Sequence, residues 1–404
     1  MLDNDVVTFA RNALVTNEGL QNALVQISKA IAARPSDSLL HFVFASLLVK
    51  AGRTRDAARA FGEAGRLILE GTPPVERDVF MGSALVSSRH RQLYDSSYGV
   101  YYSDLAFVAN VDADAKRSAF KDNISTIEFE TSSLCNRSCS YCPNPLFDRG
   151  PTNKIIDANI YRKVIDELVE INYDRALHLH GYSEPLADRG ILTRIQYART
   201  MLPLADIRIY TNGDYLTKDY LCALYDAGLR NIVMSIHPQP NEPYSLEKAI
   251  HRIQATAKRL GVRPNYEIRH NDTGVDSFLY YNDLRIYMYQ RDYANVGENW
   301  GGIFPGVGTH HKQRTAPCSL PINLFIIRYN GNVMPCCYLV DEYPAHRVYV
   351  CGNIITDSIF DIYSGAQLVS WRNALFNSKP KPYPCDGCDR DTPEARKVYS
   401  KISG

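Results

Sequence analysis

Apolar and polar positions divide the chain into stretches of different texture. Residues 19–34, 36–50 and 54–70 read as helices, with Pro35 and Gly52 between them and Pro73-Pro74 after the last, and strand signals are absent there. The stretch 94–121 is rich in Tyr, Ser and Asp without a firm period and reads as a connector. From Thr126 short β-rich runs alternate with longer helical ones. Strands are predicted over 126–131, 175–180, 206–211, 231–236 and 264–269, and helices over 157–171, 216–227 and 245–260. That order is a repeated strand–helix unit, an α/β pattern. From about Pro317 the texture changes again: 324–328 and Val333 flank Tyr329-Asn330-Gly331-Asn332, a hairpin signal. A helical stretch over 358–376 then leads into a tail that carries cysteines.

At 404 residues the chain is long for one core, so two or three domains are expected. With 45% hydrophobic and 22% charged residues and a net charge of +1, it reads as folded and near-neutral, without the basic excess of a nucleic-acid binder. No run of 18 apolar residues occurs, and Met1-Leu2-Asp3-Asn4-Asp5 is acidic where a secretory signal is basic. A cytoplasmic protein with no membrane or nucleic-acid partner is therefore expected. Ten cysteines without an export signal argue for metal rather than a disulfide framework. Three lie at 135, 139 and 142, six fall between 318 and 388, and Cys222 stands alone, an arrangement that suggests two metal sites.

The run Ala45-Ser46-Leu47-Leu48-Val49-Lys50-Ala51-Gly52, followed by Asp56-Ala57-Ala58-Arg59-Ala60-Phe61 and Ala64, resembles a tetratricopeptide repeat. Small residues at those positions let paired helices approach closely. An ordinary helical cap on the main domain is the alternative, because three or more repeats are usually needed for stability. The resemblance implies a protein partner for the helical N-terminus.

Cys135, Cys139 and Cys142 follow a predicted strand with the spacing C-x3-C-x2-C. Three thiolates on one loop can hold three irons of a [4Fe–4S] cube and leave the fourth iron open. A structural zinc site would want four ligands, and no further Cys or His follows within twenty residues of Cys142. The loop resembles the signature of the radical S-adenosylmethionine (SAM) superfamily, with Tyr141 as its aromatic residue. The resemblance implies a partial (β/α)6 barrel and a catalytic [4Fe–4S] cluster that binds SAM. It also implies a 5′-deoxyadenosyl radical that abstracts a hydrogen atom, and an electron donor such as flavodoxin or ferredoxin. Gly181-Tyr182-Ser183-Glu184-Pro185, after His178-Leu179-His180, is similar to the family's glycine-glycine-glutamate-proline motif, which implies SAM contacts at Gly181, Glu184 and Pro185; the second glycine is replaced. Asn212, Ser235 and His237 stand at strand ends where the family contacts SAM, and Arg269, on the fifth predicted strand, is a candidate partner for the SAM carboxylate. Histidines 178, 180 and 237 also read as ordinary polar residues of the barrel rim.

Cys318, Cys336, Cys385 and Cys388 make a second set, and Gly331-Asn332-Val333-Met334-Pro335-Cys336 with Gly352-Asn353-Ile354 resembles the SPASM extension in its shortened, twitch form. One auxiliary [4Fe–4S] cluster with four protein ligands is implied, structural zinc being the alternative. Cys337 and Cys351 remain as candidate catalytic hydrogen donors or plain buried cysteines.

The expected organisation is an N-terminal all-α tetratricopeptide-like cap (1–93), a connector (94–122), a radical SAM partial barrel (123–316) and a small α+β twitch domain (317–404). The expected activity is dehydrogenation or epimerisation of a small polar natural product or sugar-type substrate. Two other readings stay open: radical modification of a ribosomally made peptide, and an iron–sulfur scaffold or redox sensor without SAM chemistry.

Overall fold

The computed structural model describes residues 19–53 with isolated positions on either side, then 92–95, 100–149, 152–239, 242–262, 268–271, 273–293, 299–304 and 313–388. The chain forms two units, Met1–Asp104 and Leu105–Gly404.

In the first unit helices α1 (Leu20–Ala33) and α2 (Ser38–Lys50) pair through Leu24 and Ile27 against Leu40, Val43, Leu47 and Leu48. Pro35 falls between them, and the Asp37 side chain accepts the amides of Leu39 and Leu40 at 3.1 and 3.3 Å, which starts α2. The third expected helix lies mostly outside the described residues. Strands β1 (Gln92–Asp95) and β2 (Val100–Ser103) form an antiparallel ribbon.

The second unit opens with α3 (Ala113–Asn123), capped by Asp112. The stretch expected as a connector holds a ribbon and a helix. Its aromatic and small residues pack: Phe120 meets Phe325, Phe360 and Tyr363 with ring centroids 5.2 to 5.5 Å apart. The repeated strand–helix pattern is realised as β3 (Thr126–Phe129), α4 (Ala158–Glu170), β4 (Ala176–Leu179), α5 (Ile191–Met201), β5 (Asp206–Thr211), α6 (Lys218–Asp226), β6 (Asn231–Ser235) and α7 (Leu246–Leu260). Next come β7 (Ile268–Asn271), β8 (Gly274–Tyr281), β9 (Leu284–Arg291), β10 (Leu324–Ile327), β11 (Asn332–Met334), β12 (Gly352–Asn353), α8 (Ile359–Tyr363) and α9 (Ala366–Leu375).

The sheet order is β12-β11-β10-β3-β4-β5-β6-β9-β8-β7, and the run from β10 to β9 is parallel. Along β3, β4 and β5 the residues Ile127, Phe129, Leu177, Leu179, Ile207 and Ile209 face the helices and build the main core. The alternate positions Glu128, His178, Arg208 and Tyr210 lie on the opposite face, because side chains alternate across a strand.

One expectation needs correction. The place beside β6 belongs to β9, which pairs with β8 around Asn282 at φ 53°; β7 is the outer edge strand, so Arg269 does not stand on the fifth parallel strand. The hairpin's own alternation, 274–291, carried the signal for β8 and β9. The region after 317 is continuous with the sheet: β10 runs parallel to β3, Leu324 opposite Thr126.

Candidate active site

The loop bearing Cys135, Cys139 and Cys142 leaves β3 and is fastened before it reaches the first cysteine. The amides of Ser133 and Leu134 donate to Asn153 Oδ1 at 3.1 and 3.0 Å, and the Lys154 amide donates to Ser133 Oγ at 2.9 Å. A turn closes the motif, Cys142 N donating to Cys139 O at 3.1 Å. All ten cysteines are free thiols. Cys135, Cys139 and Cys142 stand close enough to act on one another electrostatically, and burial pushes the Cys142 thiol up to about 12 and raises Cys135 as well. Three closely set, partly buried thiols whose protons a metal can replace form a donor set that fits iron ligation.

The Gly181–Pro185 segment is fixed from beneath by Glu130. This fully buried carboxylate accepts the amides of Tyr182 and Ser183 at 2.9 and 3.0 Å and pairs with Arg149 at 2.8 Å. Gly181 is required there, since a Cβ would come within 2.5 Å of the Glu130 side chain. Glu184 spends its carboxylate internally: Thr211 Oγ1 and the amides of Asn212 and Leu186 donate to it at 2.6, 2.7 and 3.0 Å. It therefore joins the ends of β4 and β5, while its own amide donates to Leu134 O at 2.8 Å and ties both to the cysteine loop. Pro185 begins a buried turn beside it.

A second strap runs to the end of β5. Arg137 holds Asp214 with two bonds of 2.7 and 2.6 Å, Asn136 donates to Asp214 at 2.7 Å, and Asn212 donates to Asn136 at 2.8 Å. Although burial opposes it, these donors hold the Asp214 carboxyl below its usual range. The Tyr141 hydroxyl lies 2.5 Å from His237 Nδ1, and its ring stacks on Tyr293 with centroids 3.9 Å apart. Burial and the nearby Arg137 lower His237 to about 4, so it is neutral at pH 7. Ser235 Oγ donates to the Tyr289 hydroxyl at 2.6 Å. A cleft of about 220 Å³ lies beside these groups, bordered by Arg137, Asn212, Asp214, His237, Arg252 and Arg259 among others. Of the expected SAM contacts, Tyr141, Asn212 and His237 thus come together at this rim with Glu184 beneath them; the Arg269 side chain lies outside the described residues.

Cys318, Cys336, Cys385 and Cys388 come from three separate segments, yet each acts electrostatically on others of the set. Burial raises Cys385 well above the usual thiol range, and Cys388 Sγ accepts from Arg314 Nη1 at 3.6 Å, while Cys336 Sγ accepts from the Tyr338 amide at 3.4 Å. Four thiols with N–H donors and a buried guanidinium suit a closed, fully ligated cluster. Cys337 adjoins Cys336 and packs with Leu324 and Ile326. Cys351 packs against the main core with its thiol donating to Tyr349 O at 3.3 Å, away from the four-thiol set.

The residues missed by sequence reading are those that tie these parts together. Tyr182, the departure from the expected glycine, donates its hydroxyl to Cys337 O at 2.5 Å, and Arg328 donates to that hydroxyl at 3.2 Å. Trp300 Nε1 donates to Tyr141 O at 3.0 Å and meets Tyr182 and Tyr338 edge-on. Only the replacement of the glycine by Tyr182 was a visible signal.

Comparison with known families decides the class. Residues 129–262 match the radical SAM superfamily and residues 318–389 match SPASM, an iron–sulfur cluster-binding domain. The chain carries a radical SAM domain and a SPASM domain. It is a radical SAM enzyme, with SAM, a catalytic [4Fe–4S] cluster and an auxiliary cluster as its cofactors. It is 26% identical over 279 residues, 69% of this chain and 98% of the relative, to the S-adenosyl-L-methionine-dependent 2-deoxy-scyllo-inosamine dehydrogenase of Niallia circulans. A GTP 3′,8-cyclase of Alkaliphilus metalliredigens is 28% identical over 157 residues, 37% of this chain and 48% of the cyclase, so the match spans about half that relative. Among solved structures, BtrN in complex with AdoMet and 2-DOIA has a TM-score of 0.47 and 23% identity, covering 63% of this chain and 88% of that one. No helix of the described residues is long and apolar enough to cross a membrane.

Proposed function

We propose that this enzyme dehydrogenates an alcohol carbon of a small polyhydroxy ring, an aminocyclitol or sugar derivative. The observation that carries the reading is the near-complete coverage of a cyclitol dehydrogenase by this chain, joined to a second site whose four thiols leave no open position. A cluster with SAM, when bound, supplies reductive carbon–sulfur cleavage and hence a radical able to take a hydrogen atom. The chain's own part is to orient and to exclude water. Cys135, Cys139 and Cys142 would ligate the catalytic cluster; Glu130 and Glu184 hold the segment around Gly181; Asn212 and neutral His237 stand at the rim and Ser235 at the end of β6, where SAM contacts would fall. Cys318, Cys336, Cys385 and Cys388 would hold a single auxiliary cluster, the twitch form, which would supply an acceptor for the second electron of the oxidation.

The thiol-donor alternative, epimerisation through Cys337 or Cys351, has less support, since Cys351 packs on the main core and Cys337 beside a proposed ligand. The remaining parts of the reading are a partial (β/α)6 barrel, a tetratricopeptide-like helical N-terminus that recruits a protein, a flavodoxin or ferredoxin as electron donor, and a cytoplasmic location. Anaerobic incubation with SAM, a reductant and 2-deoxy-scyllo-inosamine in heavy water tests the function. The expected product is lighter by two hydrogens and carries no solvent deuterium. A product with one deuterium and unchanged hydrogen count would reject oxidation in favour of epimerisation.

A further inference from the structure

The inner face of the sheet carries a group of side chains that the SAM and cluster sites do not use. Glu128 on β3 lies opposite His178 on β4, and His180 follows on the same face. One carboxylate oxygen and one nitrogen from each imidazole lie within 4.8 Å of one another, the His180 Nε2 to Glu128 Oε1 distance being 3.7 Å. His178 is only 8% exposed, and the Nε2 atoms of both histidines are buried without a hydrogen-bond partner. Leaving buried nitrogens unpartnered is costly, so a ligand should meet them.

The chemistry of the vacant lone pairs narrows that ligand. Burial, reinforced by the other imidazole and Arg208, lowers His178 to about 2, and burial also lowers His180, so both rings are neutral and present Nε2 as an acceptor when Nδ1 carries the proton. Gly181 hydrogen-bonds His180, and Tyr210 stacks on the His180 ring with centroids 4.1 Å apart, which fixes its plane. Of the nearby cations, Arg208 pairs with Asp206, and the buried Arg328 faces Glu130 and Asp341 and, more weakly, Glu128 itself. Acceptors arranged around an ammonium at hydrogen-bond distance stand about 4.7 Å apart, whereas ligands on a zinc-sized ion stand about 3.4 Å apart. The 3.7 Å between His180 Nε2 and Glu128 Oε1 lies between these distances and all three atoms fall within 4.8 Å of one another, so the spacing fits an ammonium as well as a metal ion.

We infer that Glu128, His178 and His180 form a three-acceptor seat for a primary ammonium group, which makes the substrate an amine-bearing ring. A primary ammonium has three N–H donors, one for each acceptor, and the carboxylate balances its charge. The inference rests on the reading of the substrate as a polyhydroxy ring and narrows it.

The test compares binding to the full-length, two-cluster enzyme with SAM present, by anaerobic equilibrium dialysis. The probes are 2-deoxy-scyllo-inosamine and the same cyclitol with a hydroxyl in place of the amine. The amine should bind at least about tenfold more tightly, as expected for a charge-assisted set of bonds. Glu128→Gln and His178→Ala should abolish that preference, their iron content and melting temperature showing that they fold; if neither folds, the wild-type comparison still decides. Equal binding of the two rings, or a preference that survives both substitutions, overturns the seat and leaves the dehydrogenase reading intact. Failure of both rings to bind rejects both. One equivalent of zinc or manganese held by the wild type and lost in the variants overturns it in favour of a metal site.

Discussion

The two cysteine sets are gathered by opposite routes. The first gathers three thiols within eight residues of one loop, and the surrounding contacts serve to hold that loop: Asn153 at its start, Arg137 and Asn136 on Asp214, Glu184 below. The second draws four thiols from segments up to seventy residues apart, and no local turn could bring them together. The open site is thus specified locally and the closed one by the fold. On the proposed reading the difference suits their tasks, because a site that must accept a cofactor needs an accessible position, while a site that passes electrons needs stable, complete ligation.

Replacing Cys135, Cys139 and Cys142 together by Ala should have the largest effect. Formation of 5′-deoxyadenosine should cease, and iron should fall to about half on the assumption of four irons per site. Chromatography of the nucleoside and metal analysis check both, and continued SAM cleavage would break the comparison. Cys388→Ala should act on the other arm: iron falls by a similar share, substrate oxidation is lost, and 5′-deoxyadenosine still forms. Should Cys388→Ala also stop SAM cleavage, the two sites are not separable.

Glu130→Ala tests whether the open site depends on its underpinning. It leaves Arg149 buried and the Tyr182 and Ser183 amides unpaired, at a cost of about 3–5 kcal/mol. Denaturant unfolding should show that loss, and a change under about 1 kcal/mol would remove Glu130 from the account.

The smallest effect is a pH dependence near the closed site. His346 is fully buried, accepts from the Val340 amide at 3.1 Å, and lies 3.0 Å from Gly301 O. Burial lowers its pKa below the unfolded value, so the unfolded chain binds the extra proton. Its contribution is therefore full above about pH 6.5 and declines as pH falls from there toward the folded value, by at most about 1.4 kcal/mol per pH unit. His346→Asn should flatten that part of the stability–pH curve in denaturant titrations at pH 7.5 and 5.5; an unchanged slope would show that this histidine does not contribute.

What the sequence by itself determined is what depends on neighbours along the chain. The C-x3-C-x2-C spacing, the strands β3 to β6, the helices α4, α6 and α7, and the turn at Asn330-Gly331 are legible because periodicity and loop chemistry are local. The tertiary structure alone decided the rest. It gave the position beside β6 to β9 rather than β7, because sheet order depends on which strands pair and not on which follows next. It made Glu184 a tie between the ends of β4 and β5, and explained Tyr182 by its bond to Cys337 O, 155 residues away. It also set Glu128 beside His178 and His180, since adjacent parallel strands place on one face residues that the sequence keeps fifty positions apart.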